Sequence, residues 1–152
     1  MDPRIARLKT VKECENFAKN ALERGFPGLA TEARERGVQL RAEAHGANTA
    51  VEKECLEAIY AFEEVKSEEN GRRTKASRTW QVIRRLGIIP AVERIVTKRE
   101  VSAGFKALAE MGLKEYAFEA VVLRHPDSFS VEALNVSRQR LEEAPPRYSI
   151  ER

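Results

Sequence analysis

The residues best suited to chemistry lie between Asn70 and Glu100, where the chain runs NGRRTKASRTWQVIRRLGIIPAVERIVTKRE. From Gly71 to Glu100 nine Lys or Arg stand against two Glu, a net +7, while the remaining residues carry 18 basic and 22 acidic side chains, a net −4. The overall charge of +3 therefore hides a segregation of cations into one segment. Concentrated positive charge suits a polyanion, because each cation that neutralises a phosphate releases a condensed counterion. Arg72, Arg73, Lys75, Arg78, Arg84, Arg85, Arg94 and Lys98 are the candidate nucleic-acid-binding residues. Among them, Arg72-Arg73-Thr74-Lys75-Ala76-Ser77-Arg78-Thr79 mixes cations with hydroxyls, a combination that grips phosphate oxygens without reading bases. The competing reading is a solvated loop and helix face with no partner.

Catalytic chemistry finds little footing. Asp occurs only as Asp2 and Asp127, so an acidic metal site would depend on helix-borne Glu52, Glu57, Glu63 and Glu64, residues that usually form solvated faces. Helical di-metal sites take Glu-x-x-His on paired helices, and neither His45 nor His125 follows a Glu at that spacing. Both histidines are expected at helix ends as caps. A dyad of either with Cys14 or Cys55 stays open, against the apolar helical positions of both cysteines. Pro126-Asp127 and Glu64-Val65-Lys66 share residues with nuclease sites, but in reversed order and without strands to hold them. No Gly-rich phosphate loop is present. No catalytic residue, metal or cofactor is expected.

The elements that must position the cations follow from periodicity. With 42% hydrophobic and 34% charged residues, 152 residues suit one compact domain with a workable core. The longest apolar runs, such as Gly87 to Val92, fall far short of the roughly 20 residues that span a bilayer. The N-terminal MDPRIARLKTVKE lacks the apolar core of a secretory signal. A cytoplasmic protein with no membrane partner is the expectation. Two cysteines are too few for a disulfide scaffold and read as reduced core residues.

Helical spacing dominates throughout. Thr10-Val11-Lys12-Glu13 is a capping box, followed by the stripe Val11, Cys14, Phe17, Ala18, Ala21, Leu22 and a stop at Gly25. A second helix is expected from about Gly28 to Ala44, with Leu29, Ala33, Leu40 and Ala44 inward and Gly37 weakening its middle. Thr49-Ala50-Val51-Glu52 opens the longest helix, with Val51, Cys55, Ala58, Ile59, Phe62 and Val65 inward and Asn70-Gly71 closing it. Thr74 or Ser77 can cap the next helix, which Gly87 breaks, and Pro90 opens another to Thr97. Ser102 then caps a short helix carrying Phe105 and Leu108. Leu113 to Leu123 reads as one buried helix ended by His125-Pro126, and Val131 to Glu143 as the last. The fold class is all-α, a bundle of about six to eight helices spanning 1–144, with possible subdomains 1–70 and 71–144 and a flexible tail at 145–152.

Trp80 to Val96 has the form of a helix-turn-helix, in which Gly87 makes the turn and the second helix presents Ala91, Glu93, Arg94 and Lys98 to a major groove. The register has a flaw, since Glu93 falls where that motif buries an apolar residue. A helix-hairpin-helix fits less well, because its Gly-x-Gly turn is missing. Trp80 could stack on an unpaired base, yet its spacing to Ile83 and Leu86 makes it a core anchor.

The segments ENFAKNALERG, LRAEAHGA, AIYAFEEV, GRRTKASRTWQVIRR and AFEAVVLRHPDSF together resemble an uncharacterised bacterial all-helical family, over most of the chain. That resemblance implies a bacterial cytosolic origin and no activity. The residues themselves point to a non-catalytic nucleic-acid-binding protein, with DNA ahead of RNA. The alternatives are a helical protein-interaction or oligomerisation module, docking through Val51–Glu69 or Leu113–Leu123, and a small helical enzyme. A homo-oligomer remains among the expected partners.

Overall fold

The computed structural model describes residues 1–98 and 103–143, the side chains of 103, 104 and 143 excepted. Among the described residues there are nine α-helices and no strand. They are α1 (Pro3–Ala6), α2 (Val11–Glu23), α3 (Pro27–His45), α4 (Ala50–Asn70), α5 (Ser77–Leu86), α6 (Ile88–Thr97), α7 (Ala103–Glu110), α8 (Phe118–Arg124) and α9 (Val131–Glu143). Short 3₁₀ turns at Lys114–Tyr116 and Pro126–Ser128 flank α8. The chain is all-α, as its periodicity requires. No helix among the described residues is long and apolar enough to cross a membrane.

The capping chemistry explains where the helices begin. Thr10 Oγ1 accepts from Glu13 N at 3.1 Å and Glu13 returns the bond to Thr10 N at 3.0 Å, so both legs of the box form. At α4, Thr49 Oγ1 accepts from Glu52 N, but the Glu52 carboxylate turns instead to Asn48 N. The chain also contains a helix that the apolar spacing does not announce. Asp2 caps the single turn of α1 with Pro3 in its first position, and Ile5 is thereby fully buried against α2 and α3.

Packing centres on α4, whose buried residues serve several parts of the core at once. Ala61 and Val65 join Val38, Phe105, Leu108 and Leu113. Cys55 and Ala58 join Val92, Val96, Val121, Val122 and Ala133. Leu56 and Ile59, both fully buried, meet Ala42 and Ala76, and each contributes about 1.5–3 kcal/mol by burial. Alanines dominate between α2 and α3, with Ala18 and Ala21 clustered with Ala30 and Ala33. Gly37 marks the close approach there, because a Cβ added to it would lie 3.4 Å from Cys14 Cβ. The glycine expected to weaken α3 instead lets α2 come near. This approach sets which face of α3 turns inward. Val38 and Ala42 are buried, Leu40 is half-buried, and Ala44, expected inside, is exposed. Leu22, also expected inside, is 43% exposed.

The single helix expected over Leu113–Leu123 does not form. Ala117 adopts an extended conformation (φ −67°, ψ 148°) and splits the segment into a 3₁₀ turn and α8. The break places Tyr116 against α3, where its hydroxyl donates to Glu35 Oε2 at 3.3 Å and lies 3.5 Å from Gln39 Nε2. Leu113, Ala117, Val121 and Val122 are buried in the core nonetheless. Two further expectations, the Ser102 cap and the tail at 145–152, lie outside the described residues.

One polar cluster ties α4 to α8. Arg124 Nε donates to Glu54 Oε1 at 2.5 Å, and His125 Nε2 lies 2.6 Å from Glu54 Oε2. His125 is thus a partner of Glu54 as well as the residue that ends α8. Burial works to raise the Glu54 carboxyl, but the hydrogen bonds from His125 and Arg124 outweigh it and hold the group below its usual range. A carboxyl depressed in the folded state contributes stability above the unfolded value of about 4.5, and loses it as pH falls through the folded one. Glu54→Gln should therefore lower the urea midpoint at neutral pH, with the gap from wild type closing below about pH 4. A gap that persists at acid pH would show that Glu54 acts by packing and not by charge.

Candidate nucleic-acid interface

The basic segment is attached to the bundle by acids and hydroxyls of α4. Gly71 (φ +67°) ends that helix in the left-handed conformation that glycine adopts without strain, reversing the chain. Ser67 Oγ then accepts from Thr74 N at 2.8 Å, and Asn70 Nδ2 donates to Thr74 Oγ1 at 3.0 Å, folding the loop back onto the last turn. Neither Thr74 nor Ser77 caps α5. The cap comes from across the fold, where Glu63, only 3% exposed, accepts from Ala76 N at 2.9 Å and from Trp80 Nε1 at 2.7 Å through the same Oε2. Its other oxygen lies 3.9 Å from Arg41 Nη1. A buried carboxylate needs such donors to offset its desolvation, and here they fix the start of α5 and the rotation of its indole.

Trp80 anchors α5, though not as a fully buried side chain. It is half-buried, stacked on His45 (centroids 5.4 Å apart, planes at 16°) and tilted against Tyr60 at 5.4 Å. Ile83 is half-buried beside it, whereas Leu86, expected in the same stripe, is 38% exposed. No residue of α5 is buried, so the helix lies on the surface and is held mainly through Trp80, Ile83 and its junction with α6.

The helix-turn-helix expected over Trp80–Val96 is altered in its turn and in its second helix. Gly87 (φ +94°) alone separates α5 from α6, whereas that motif uses a turn of about three or four residues. Helix α6 begins at Ile88, two residues before Pro90. Ala91, expected at the groove, is fully buried with Val92 and Val96. Glu93 is also committed inside the protein, accepting from Ser130 N and Ser130 Oγ at 2.8 Å each, while Ser130 Oγ accepts from Ala133 N at the start of α9. The flaw in register at Glu93 is thereby explained, since that carboxylate helps cap another helix. Arg94 and Lys98 remain exposed on α6 and at its end.

Four of the eight candidate cations line two clefts, and the other four lie outside both. Arg72 and Arg73 line a cleft of about 430 Å³ between α2, α3 and the end of α4, together with Glu15, Glu64 and Glu68. Arg73 spends its charge there, at 3.1 Å from Glu15 and 3.3 Å from Glu64. The cleft also holds Lys19 and Arg34, so its charges nearly balance, and Arg73, paired to acids of α2 and α4, acts as an internal clamp on the loop. Lys75 and Arg84 instead come together around a cleft of about 480 Å³ with His45, Tyr60, Trp80 and Gln81. Arg78 and Arg85 share one side of α5, seven residues apart. Seven of the eight, all but Arg73, are exposed and make no ion pair among the described residues. Most of the chain's ion-paired arginines lie elsewhere, as in Arg34–Glu68, Arg41–Glu15, Arg124–Glu54 and Arg140–Glu119.

In comparisons by sequence and by structure, no family model, curated protein or solved structure matches the chain. That accords with a likeness to a family without assigned activity.

Sequence spacing missed His45, Tyr60 and Glu63 as parts of this region. Glu63 carried a signal, because it follows Ile59 by four residues and Leu56 by seven, which puts a carboxylate on the buried stripe of α4. His45 and Tyr60 carried none, since their partner Trp80 is far along the chain. Burial and the Glu63 charge push the Tyr60 phenol up, with Arg41 opposing. The thiols suit no dyad, as burial raises Cys14 and pushes Cys55 up to about 12, leaving both protonated at neutral pH. Among the described residues no three of His, Cys, Asp and Glu are grouped as a metal ion would need.

Proposed function

We propose that the chain is a non-catalytic nucleic-acid-binding protein of the cytoplasm, with DNA as the expected polymer, that holds the phosphate backbone on the surface of α5 and α6. One observation carries this reading: among the described residues the cations of this surface have no acid partner, in a protein that pairs many of its other arginines. Unpaired surface cations have no intramolecular Coulomb energy to lose on binding, so counterion release is the driving term. The binding set is Lys75, Arg78, Arg84, Arg85, Arg94 and Lys98, with Arg72 at its margin and Arg73 outside it. Docking through the apolar face of the Leu113–Leu123 segment is disfavoured, because the core already covers it.

Fluorescence anisotropy with a labelled duplex tests the proposal. About four to six phosphate contacts should give a log–log salt slope of about −4 to −5. Arg84→Ala should make that slope shallower by about one, whereas Arg73→Ala should leave it unchanged, because its charge is already neutralised by Glu15 and Glu64. Absence of binding at about 50 mM salt, where the electrostatic term is large, removes the proposal.

A further inference from the structure

We infer that the cleft beside α5 takes an unpaired nucleobase, so that the protein prefers single-stranded to duplex nucleic acid. The inference rests on the phosphate-binding proposal above and adds a second, chemically different contact to it. The cleft, about 480 Å³, lies within the roughly 300–1,000 Å³ range of small-ligand sites. Its walls combine two kinds of chemistry seldom adjacent by chance. His45 and Trp80 form a near-parallel ring stack, with Tyr60 tilted against the indole. Lys75 and Arg84 line the same cleft, Gln81 adds an amide that can donate and accept, and the Glu63 carboxylate at its wall is engaged by Ala76 N and Trp80 Nε1.

The stack is pre-organised. The bond from Trp80 Nε1 to the buried Glu63 holds the indole edge, and His45 is placed at the end of α3. His45 is itself exposed, so its ring offers accessible surface to a further aromatic ring. A base offers that ring, and its flanking phosphates match Lys75 and Arg84. Bases within a duplex already have both faces stacked and cannot enter such a cleft, whereas unpaired bases can. The exposed cations on the rest of α5 and α6 would then track the backbone on either side.

Trp80 is the only tryptophan, so its emission reports on this cleft directly. Titration with a single-stranded oligothymidylate should quench that emission, while a duplex of equal length binds with little quench. His45→Ala removes an exposed ring and should weaken oligothymidylate binding about ten-fold, with duplex affinity unchanged, because base–aromatic stacking is absent from phosphate contacts. His45→Phe keeps a stacking face and should restore the single-strand affinity. Duplex binding with no quench by the single strand, or equal losses on both polymers in His45→Ala, overturns the inference and leaves the phosphate surface standing. Failure of both polymers to bind at low salt overturns both.

Discussion

Arg140→Met is expected to lower stability by about 3–5 kcal/mol, the largest effect of any single substitution considered for this protein. Arg140 is buried in α9, and its Nη1 donates to Glu119 of α8 at 3.0 Å, a residue buried to the same degree. Its Nη2 donates to the carbonyl of Lys98, at the end of α6. Removing the guanidinium strands a buried carboxylate and leaves that carbonyl without its donor. The desolvation of Glu119 is then uncompensated, which costs far more than the pair itself contributes. The double variant Glu119→Leu with Arg140→Met replaces both charges by apolar side chains and should recover most of the loss. Chemical denaturation of the three proteins measures this directly. A single variant no less stable than the double would mean that Glu119 finds solvent or another partner. Because Arg140 also holds the last turn of α6, its loss should weaken the presentation of Lys98 as well as the core.

Trp80→Ala should cost about 3 kcal/mol, and Trp80→Phe about 1–2 kcal/mol. The alanine variant removes a half-buried indole packed on His45 and Tyr60 and leaves space beside the buried core that includes Leu56 and Ile59. It also deprives Glu63 of one of its two donors to Oε2. Phenylalanine keeps most of the packing and loses the donor, so the difference between the variants separates the contribution of shape from that of the hydrogen bond. Far-UV circular dichroism in urea is the suitable measurement, since either change abolishes the tryptophan signal. Unchanged midpoints in both variants would show that α5 is held by its junction with α6 and not by its indole.

Much of the architecture was legible because helix signals are local. The Thr10–Glu13 box, the stops at Gly25 and Gly71, and the span Val131–Glu143 all depend on residues within about one helical turn of each other. The one-turn α1 was missed, because its single buried Ile5 makes no stripe. The break at Ala117 was missed too, for the apolar run across it suits one continuous helix. What decides it is Tyr116 reaching Glu35, eighty-one positions earlier in the chain.

The candidate site divides along the same line. Sequence alone determined that cations gather between Arg72 and Lys98, on a loop and the two helices after it, because composition and helical spacing are properties of neighbouring residues. Only the tertiary structure decided which of those charges are free. Arg73 meets Glu15 from α2, Glu93 turns to Ser130 at the start of α9, and Trp80 gains a carboxylate from α4 and a stacked ring from α3. Each pairing joins residues at least 17 positions apart, and no local periodicity encodes it. A charge or a ring becomes available to a ligand only when the fold leaves it without a partner, and that depends on which distant helices arrive beside it.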